Sequence, residues 1–287
     1  AGGWRKGIRR GGRGDLRYDP IKSSLGNIVR SSTILRRLFY TALGLLFLRE
    51  WHVKRAIRQL LGSRTGATDV YDAGSGFGQY SYYLAQRFPR ARIFAVDVKD
   101  EQIDDCRRFF AARGIANCVF AVEDLTRITH ENRFDLVLSV DVMEHIADDV
   151  TVFRNFHRAL RPGGRLFINT PSDLGGSDAH GPDDSSFIEE HARNGYNADE
   201  MRTKLAAAGF RVEYIRYTYG PFGSAAWRLG IKIPMVLLNV SKAFFVVLPF
   251  YYVIALPIVL PLMALDVLLE NRRGTGLNVL AVKSGEK

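Results

Sequence analysis

The sequence predicts an α/β protein built on a doubly wound, mostly parallel sheet of seven strands. Three observations carry that prediction. From Thr68 to about Gly220, short β-rich runs alternate with helical stretches. Six of these runs (VYDAG, RIFAVDV, CVFAVEDL, FDLVLSV, RLFINTP and RVEYIRYTY) are almost continuously apolar, as strands covered by helices on both faces must be. A seventh run, GLNVLAVK, comes only after an interruption over 221–276.

Composition agrees with a globular chain. Of 287 residues, 47% are hydrophobic and 24% charged, which excludes disordered, fibrous and disulfide-framework classes. The two cysteines, Cys106 and Cys118, fall on a predicted helix and the strand after it, with neither disulfide nor metal-type spacing. A reducing, cytosol-facing compartment follows. The net charge of +10 is uneven: residues 1–60 hold 14 Lys and Arg against three acids, leaving the rest near neutral.

In chain order, residues 1–30 mix Gly with Arg5, Lys6, Arg9, Arg10, Arg13 and Arg17, too polar to offset the entropy of ordering. They read as a flexible basic arm without the apolar core of a secretory signal. Residues 31–62 read as two helices. In the first, Ile34, Leu35, Leu38, Phe39, Ala42, Leu45 and Leu46 recur at helical spacing beside Arg36 and Arg37. Such a helix packs on the body or lies on an anionic membrane. Residues 63–220 with 277–287 form the sheet domain, and 221–276 a hydrophobic helical insertion before the last strand. Ala243–Leu265 is 23 residues without a charge, long enough to span a bilayer as one straight helix. Pro249, Pro257 and Pro261 argue against straightness. If the last strand joins the same sheet as 210–219, both ends of the insertion lie on one side and an odd number of crossings is excluded. A helical hairpin or lid remains, packed on the body, paired with a second subunit in a homodimer, or dipped into a membrane.

The chemistry gathers at strand ends. Asp72-Ala73-Gly74-Ser75-Gly76-Phe77-Gly78-Gln79 closes the first strand in a Gly-x-Gly-x-Gly turn ahead of a helix. Glycine permits positive φ there and lets main-chain N–H groups approach a ligand. The spacing differs from the dinucleotide Gly-x-Gly-x-x-Gly. Asp97 ends the second strand, where a carboxylate accepts from ribose hydroxyls, and Asp124-Leu125 ends the third, placed for an adenine amino group. Each acid alone also reads as a helix cap.

In this order, these features resemble the class I S-adenosylmethionine-dependent methyltransferases, over about residues 49–220 and 277–283. The small-molecule branch, which includes quinone-biosynthesis O-methyltransferases, is the most similar. The resemblance implies the Rossmann-like methyltransferase fold and S-adenosylmethionine as cofactor, held by Asp72, Gly74, Ser75, Gly76, Gly78, Gln79, Asp97, Val98, Asp124, Leu125 and Val140. It places Asp141, Glu144 and His145 beside the transferred methyl, with His145 as a candidate general base. The same trio is similar to a Glu-x-x-Glu-His site for a divalent metal, departing from it at Asp141. A loop after strand five carries Glu190, His191, Arg193 and Tyr196, candidates for the substrate wall. Fourth-strand signatures of nucleobase methylation are missing, so nucleic acid is a poor candidate partner. The expected acceptor is a hydrophobic small molecule, a quinone precursor or other lipid, met by a cytoplasmic enzyme peripheral on a membrane surface.

Overall fold

Seven strands form where the apolar runs lie: β1 Thr68–Ala73, β2 Ala91–Asp97, β3 Cys118–Val122, β4 Phe134–Val140, β5 Leu160–Pro171, β6 Phe210–Thr218 and β7 Gly276–Lys283. In the computed structural model, which describes residues 32–175 and 192–284, they make one sheet in the order β3-β2-β1-β4-β5-β7-β6. Only β7 is antiparallel, to β5 on one side and β6 on the other. The carboxyl ends of β1, β4, β5 and β6 therefore share one edge, where the chain reverses order between β1 and β4. That is where a doubly wound sheet opens a ligand crevice.

Six helices of the body follow the expected periodicity: α1 Thr33–Leu46, α2 Leu48–Leu61, α3 Gln79–Arg87, α4 Asp100–Ala112, α5 Asp149–Ala159 and α6 Ala198–Ala207. Alternate residues of each strand feed two separate cores. Val70, Ile93, Ala95, Leu136 and Leu138 pack under α2, α3 and α4, with Tyr40 of α1. Tyr71, Ala73, Val96, Val137 and Ile168 pack under α5 and α6. Burial on both faces is why these strands read as continuous apolar runs.

Helix α1 is inverted relative to what its composition suggests. Arg36 and Tyr40 are buried, whereas Ile34, Leu38 and Leu45 are exposed.

The insertion is a two-armed helical hairpin. Its first arm runs through α7 Pro221–Trp227, a π-helical segment Arg228–Lys232 and α8 Ile233–Val240; after a 3₁₀ turn, Lys242–Val246, α9 Leu248–Leu268 returns. The prolines do not break α9. Pro249 sits in its first turn, where the missing N–H is harmless, and the helix continues through Pro257 and Pro261. Among the described residues, α9 is the one helix long and apolar enough to cross a membrane. Thr218 and Gly276 are direct partners across β6 and β7, so both ends of the hairpin issue from the same edge of the sheet.

Candidate functional site

The Gly-x-Gly-x-Gly turn is held from inside the sheet. Gly74 N and Ser75 N both donate to Val96 O, and Gly78 N donates to Ser75 O at 2.8 Å. Gly74, Gly76 and Gly78 all have positive φ. At Gly74 a side chain has no room as well, because a Cβ would stand 2.3 Å from Val142 Cγ2. The first turn of α3 opens directly behind this loop, with N–H groups available to an anionic or electron-rich ligand.

Three carboxylates line the edge above the turn. Asp72 is buried at the end of β1, accepts from Ser81 Oγ at 2.5 Å, and is pushed up to about 6 by burial and the nearby Asp97 charge, against the Ser81 hydrogen bond. Asp97 accepts from Gly76 N at 2.9 Å through one oxygen and from Lys99 N at 3.0 Å through the other, tying β2 to the glycine turn. Val98, next to it, is an exposed apolar residue. Asp124 caps no helix; it accepts from Thr126 N and Oγ1 in a tight turn, and those bonds hold its carboxyl below the usual range. Leu125 behind it is buried. Gln79 Nε2 donates to Glu50 of α2 at 3.2 Å, and Val140 ends β4 within the core.

These residues fit a nucleoside ligand with an amino-acid tail. The buried Ser75 hydroxyl in the turn and the Nε of Arg49 make no hydrogen bond within the protein. Polar atoms buried unpaired are uncommon in native structures and call for a partner.

Beyond β4 the chain turns through Asp141, whose φ is +51°, into the 3₁₀ turn Met143–His145. Asp141 N donates to Asn169 O, and its carboxylate pairs with Arg49 at the start of α2. Arg49 also touches Tyr80 of α3, and its main-chain N donates to the hydroxyl of Tyr219 at the end of β6. Tyr219 has φ of +56°. Two non-glycine residues in left-handed geometry thus converge on one arginine, as strained residues do at functional sites. Nothing in the local sequence marks Arg49, Tyr80 or Tyr219 for this role, since their meeting depends on strand order.

Glu144 is buried, accepts from Thr170 Oγ1 at 3.0 Å, and burial raises its carboxyl above the ordinary range. His145, next to it, is exposed at the rim. Asp141, Glu144 and His145 do not converge as metal ligands. Arg49 draws Asp141 one way and Thr170 holds Glu144 another, and among the described residues no group of His, Cys, Asp and Glu is placed to hold an ion.

Glu190 and His191 lie outside the described residues. Arg193 donates to Ile146 O and Ala147 O and pairs with Asp149. Tyr196 is fully buried with its hydroxyl 2.7 Å from Asp149 Oδ2, and Lys204 reaches the same oxygen. Asp149 is thus the knot that fastens the turn carrying Glu144 and His145.

The sheet order and its covering helices are those of the Rossmann-like fold of S-adenosylmethionine-dependent methyltransferases. A family model described as a methyltransferase domain matches residues 70–164. Phosphoethanolamine N-methyltransferase 1 of Arabidopsis thaliana is 27% identical over 222 residues, 72% of this chain and 40% of the relative. A ubiquinone biosynthesis O-methyltransferase of Pseudomonas aeruginosa is 31% identical over 108 residues, 35% of this chain and 43% of the relative. The chain thus spans about two fifths of the length of these two curated relatives. Among solved structures, Haemonchus contortus phosphoethanolamine N-methyltransferase 2, with phosphomonomethylethanolamine and S-adenosylhomocysteine, aligns at a TM-score of 0.56 and 20% identity. It covers 82% of this chain and 53% of that one, a likeness of fold.

Proposed function

We propose that this protein transfers the S-adenosylmethionine methyl group to a hydrophobic small molecule, a quinone precursor or other lipid-like acceptor, at a membrane surface. The observation that carries the acceptor class is the apolar hairpin, rooted through Thr218 and Gly276 on the same sheet edge as the cofactor turn. An acceptor dissolved in lipid would meet the site without crossing water.

Bound in the crevice, the cofactor supplies an already activated sulfonium methyl, so alignment of the acceptor accounts for most of the rate. The glycine turn and Asp72 support the amino-acid end, Asp97 the ribose, and Asp124 with Val98, Leu125 and Val140 the base. His145, exposed at the rim, takes the acceptor's proton. Glu144, bonded to Thr170, positions the histidine turn. Arg193, Tyr196 and Lys204 keep that turn in place through Asp149. Arg49 offers its guanidinium to an anionic group of cofactor or acceptor.

The named relatives act on phosphoethanolamine or serve ubiquinone biosynthesis, so polar and apolar acceptors are both represented. Transfer from methyl-tritiated S-adenosylmethionine to a membrane-containing lysate, with Asp72→Ala as blank, separates them. Label in the organic phase is expected. Label confined to aqueous small molecules would favour a phosphoethanolamine-type acceptor and a soluble enzyme, and label on macromolecules would make residues 1–30 a nucleic-acid or protein tether.

A further inference from the structure

We infer that the hairpin 221–268 lies in the plane of a single leaflet of an anionic membrane, resting its outward face in the acyl boundary without crossing. This inference rests on the membrane reading above and specifies its geometry.

The hairpin is apolar on both sides. Ala255, Val259 and Met263 of α9 face inward against Leu48 and Ala226. Outward stand Phe250, Val253 and Ile254, each more than 70% exposed, with Ile258 beside them. The exposed surface continues over the turn and the first arm through Val236, Val240, Phe245 and Val246. A water-facing helix would carry polar residues there, and so large an apolar surface marks a partner.

Lipid suits that surface better than protein. Protein interfaces carry a polar rim and many direct hydrogen bonds. From Ala243 to Leu265 there is no charged residue. The hydroxyls of Tyr251 and Tyr252 are spent inside the hairpin, donating to Leu229 O at 2.5 Å and Gly230 O at 2.8 Å. In the first arm both carbonyls lose their usual helical donors. Pro234 has no N–H to give Gly230 O, and Ile233 N–H is diverted to Arg228 O by the π-helical turn. Satisfying freed main-chain groups internally is what a nonpolar solvent demands.

Charge fixes the depth. Arg228 and Lys232 stand at the neck of the protruding part, and Asn239, Ser241 and Lys242 at its tip. A hairpin spanning the bilayer would carry the neck cations into hydrocarbon, where each is strongly disfavoured. With cations at both ends, the apolar length between them lies at one level, its ends at anionic headgroups.

The body follows the hairpin because the root is rigid. Asp266, fully buried near the end of α9, accepts from Tyr219 N, Gly220 N, Gly223 N and Asn271 Nδ2, and lies 2.8 Å from His52 Nε2 of α2. Tyr219 in turn touches Arg49, the partner of Asp141. Laying the hairpin on lipid therefore fixes the edge bearing Asp141 and His145 relative to the leaflet.

The test uses the full chain with vesicles of phosphatidylcholine alone or with phosphatidylglycerol. Flotation should favour the anionic vesicles and fall at least tenfold in a Phe250→Glu, Ile254→Glu double variant. Val119→Glu, on the exposed edge strand β3, should float like the parent, and all proteins should bind S-adenosylmethionine equally. A probe on Ile254→Cys should be quenched by lipids brominated high on the acyl chain, and one on Lys242→Cys by iodide added outside. A Lys242→Cys probe reached only by iodide trapped inside the vesicles would show a spanning hairpin and overturn the inference. So would flotation indifferent to the Glu pair, or no flotation together with a dimer that the pair dissolves. Methylation of a detergent-dissolved acceptor, assayed alongside, keeps a failure of this geometry distinct from a failure of the acceptor reading.

Discussion

Arg36 Nη2 of α1 donates to the main-chain carbonyl of Phe77 at 2.7 Å, so a helix outside the sheet holds the middle of the glycine turn. The buried guanidinium also pairs with Asp105 at 2.7 Å and donates to the Tyr40 hydroxyl, which itself donates to the Phe77 carbonyl. Arg36→Met should destabilise the protein by about 3–5 kcal/mol, because Asp105 is left buried and unpaired. Its affinity for S-adenosylmethionine should fall roughly tenfold, the equivalent of about 1.4 kcal/mol. Tyr40→Phe should lose only about 1 kcal/mol, since Arg36 still serves the carbonyl. Urea denaturation and calorimetric titration measure both, and unchanged affinity in folded Arg36→Met would remove the clasp from the cofactor site.

Asp72 gives a pH signature. Its folded value of about 6 lies above the ordinary 3.8, so between those values the folded protein binds more protons than the unfolded chain. The carboxyl therefore favours folding most at low pH, and stability of the cofactor-free protein should fall as pH rises from about 4 to 6, by up to about 3 kcal/mol, then level off. Asp72→Asn should lack that slope. Urea midpoints of parent and variant, compared at pH 4, 5 and 7, isolate the contribution, and parallel curves would contradict it.

Two glycines of the turn should answer differently to the same change. Gly74→Ala meets both a φ of +82° and the Val142 side chain, and should abolish cofactor binding. Gly76→Ala, with φ of +51° and only Gln102 Oε1 near its Cβ, at 4.0 Å, carries only backbone strain of about 1–2 kcal/mol and should still bind. Adding Val142→Ala to Gly74→Ala should recover part of the loss. Equilibrium dialysis with labelled cofactor would detect each step.

Asp266→Ala should uncouple the hairpin from the body. Removing a buried carboxylate that serves three main-chain N–H groups leaves those donors and His52 without it, a loss of about 3–5 kcal/mol. Hydrogen exchange should rise first at Tyr219–Gly223, and uniform exchange across the chain would show that the root is no separate lock.

If His145 is the base, His145→Ala should lower kcat by roughly 10²–10⁴-fold while leaving the dissociation constant for S-adenosylmethionine within about twofold. Loss of cofactor affinity in step with kcat would assign the histidine a scaffold role.

Much of the geometry of the glycine turn was legible because its signals are local. Gly74 and Gly76 are demanded by positive φ, and Asp97 stands at a strand end wherever the sheet is cut, so a motif of eight residues and a spacing suffice. The contacts of Arg49 with Asp141 and of Arg36 with Phe77 were not legible, because an arginine near a helix start reads as surface charge until its partner is known. Arg193 and Tyr196 stood out by type, but geometry turns both toward Asp149.

The sequence by itself determined the seven strands, their helices and the glycine turn after the first strand, because strand and helix periods and glycine φ are properties of neighbouring residues. Only the tertiary structure decided that Arg36 points inward while Ile34, Leu38 and Leu45 face out, since its partners Phe77 and Asp105 lie 41 and 69 residues away. It likewise decided that α9 runs unbroken through Pro257 and Pro261. Proline's cost to a helix is local, whereas the packing of Ala255, Val259 and Met263 against Leu48 and Ala226 that accompanies the unbroken helix depends on chain brought back from far away.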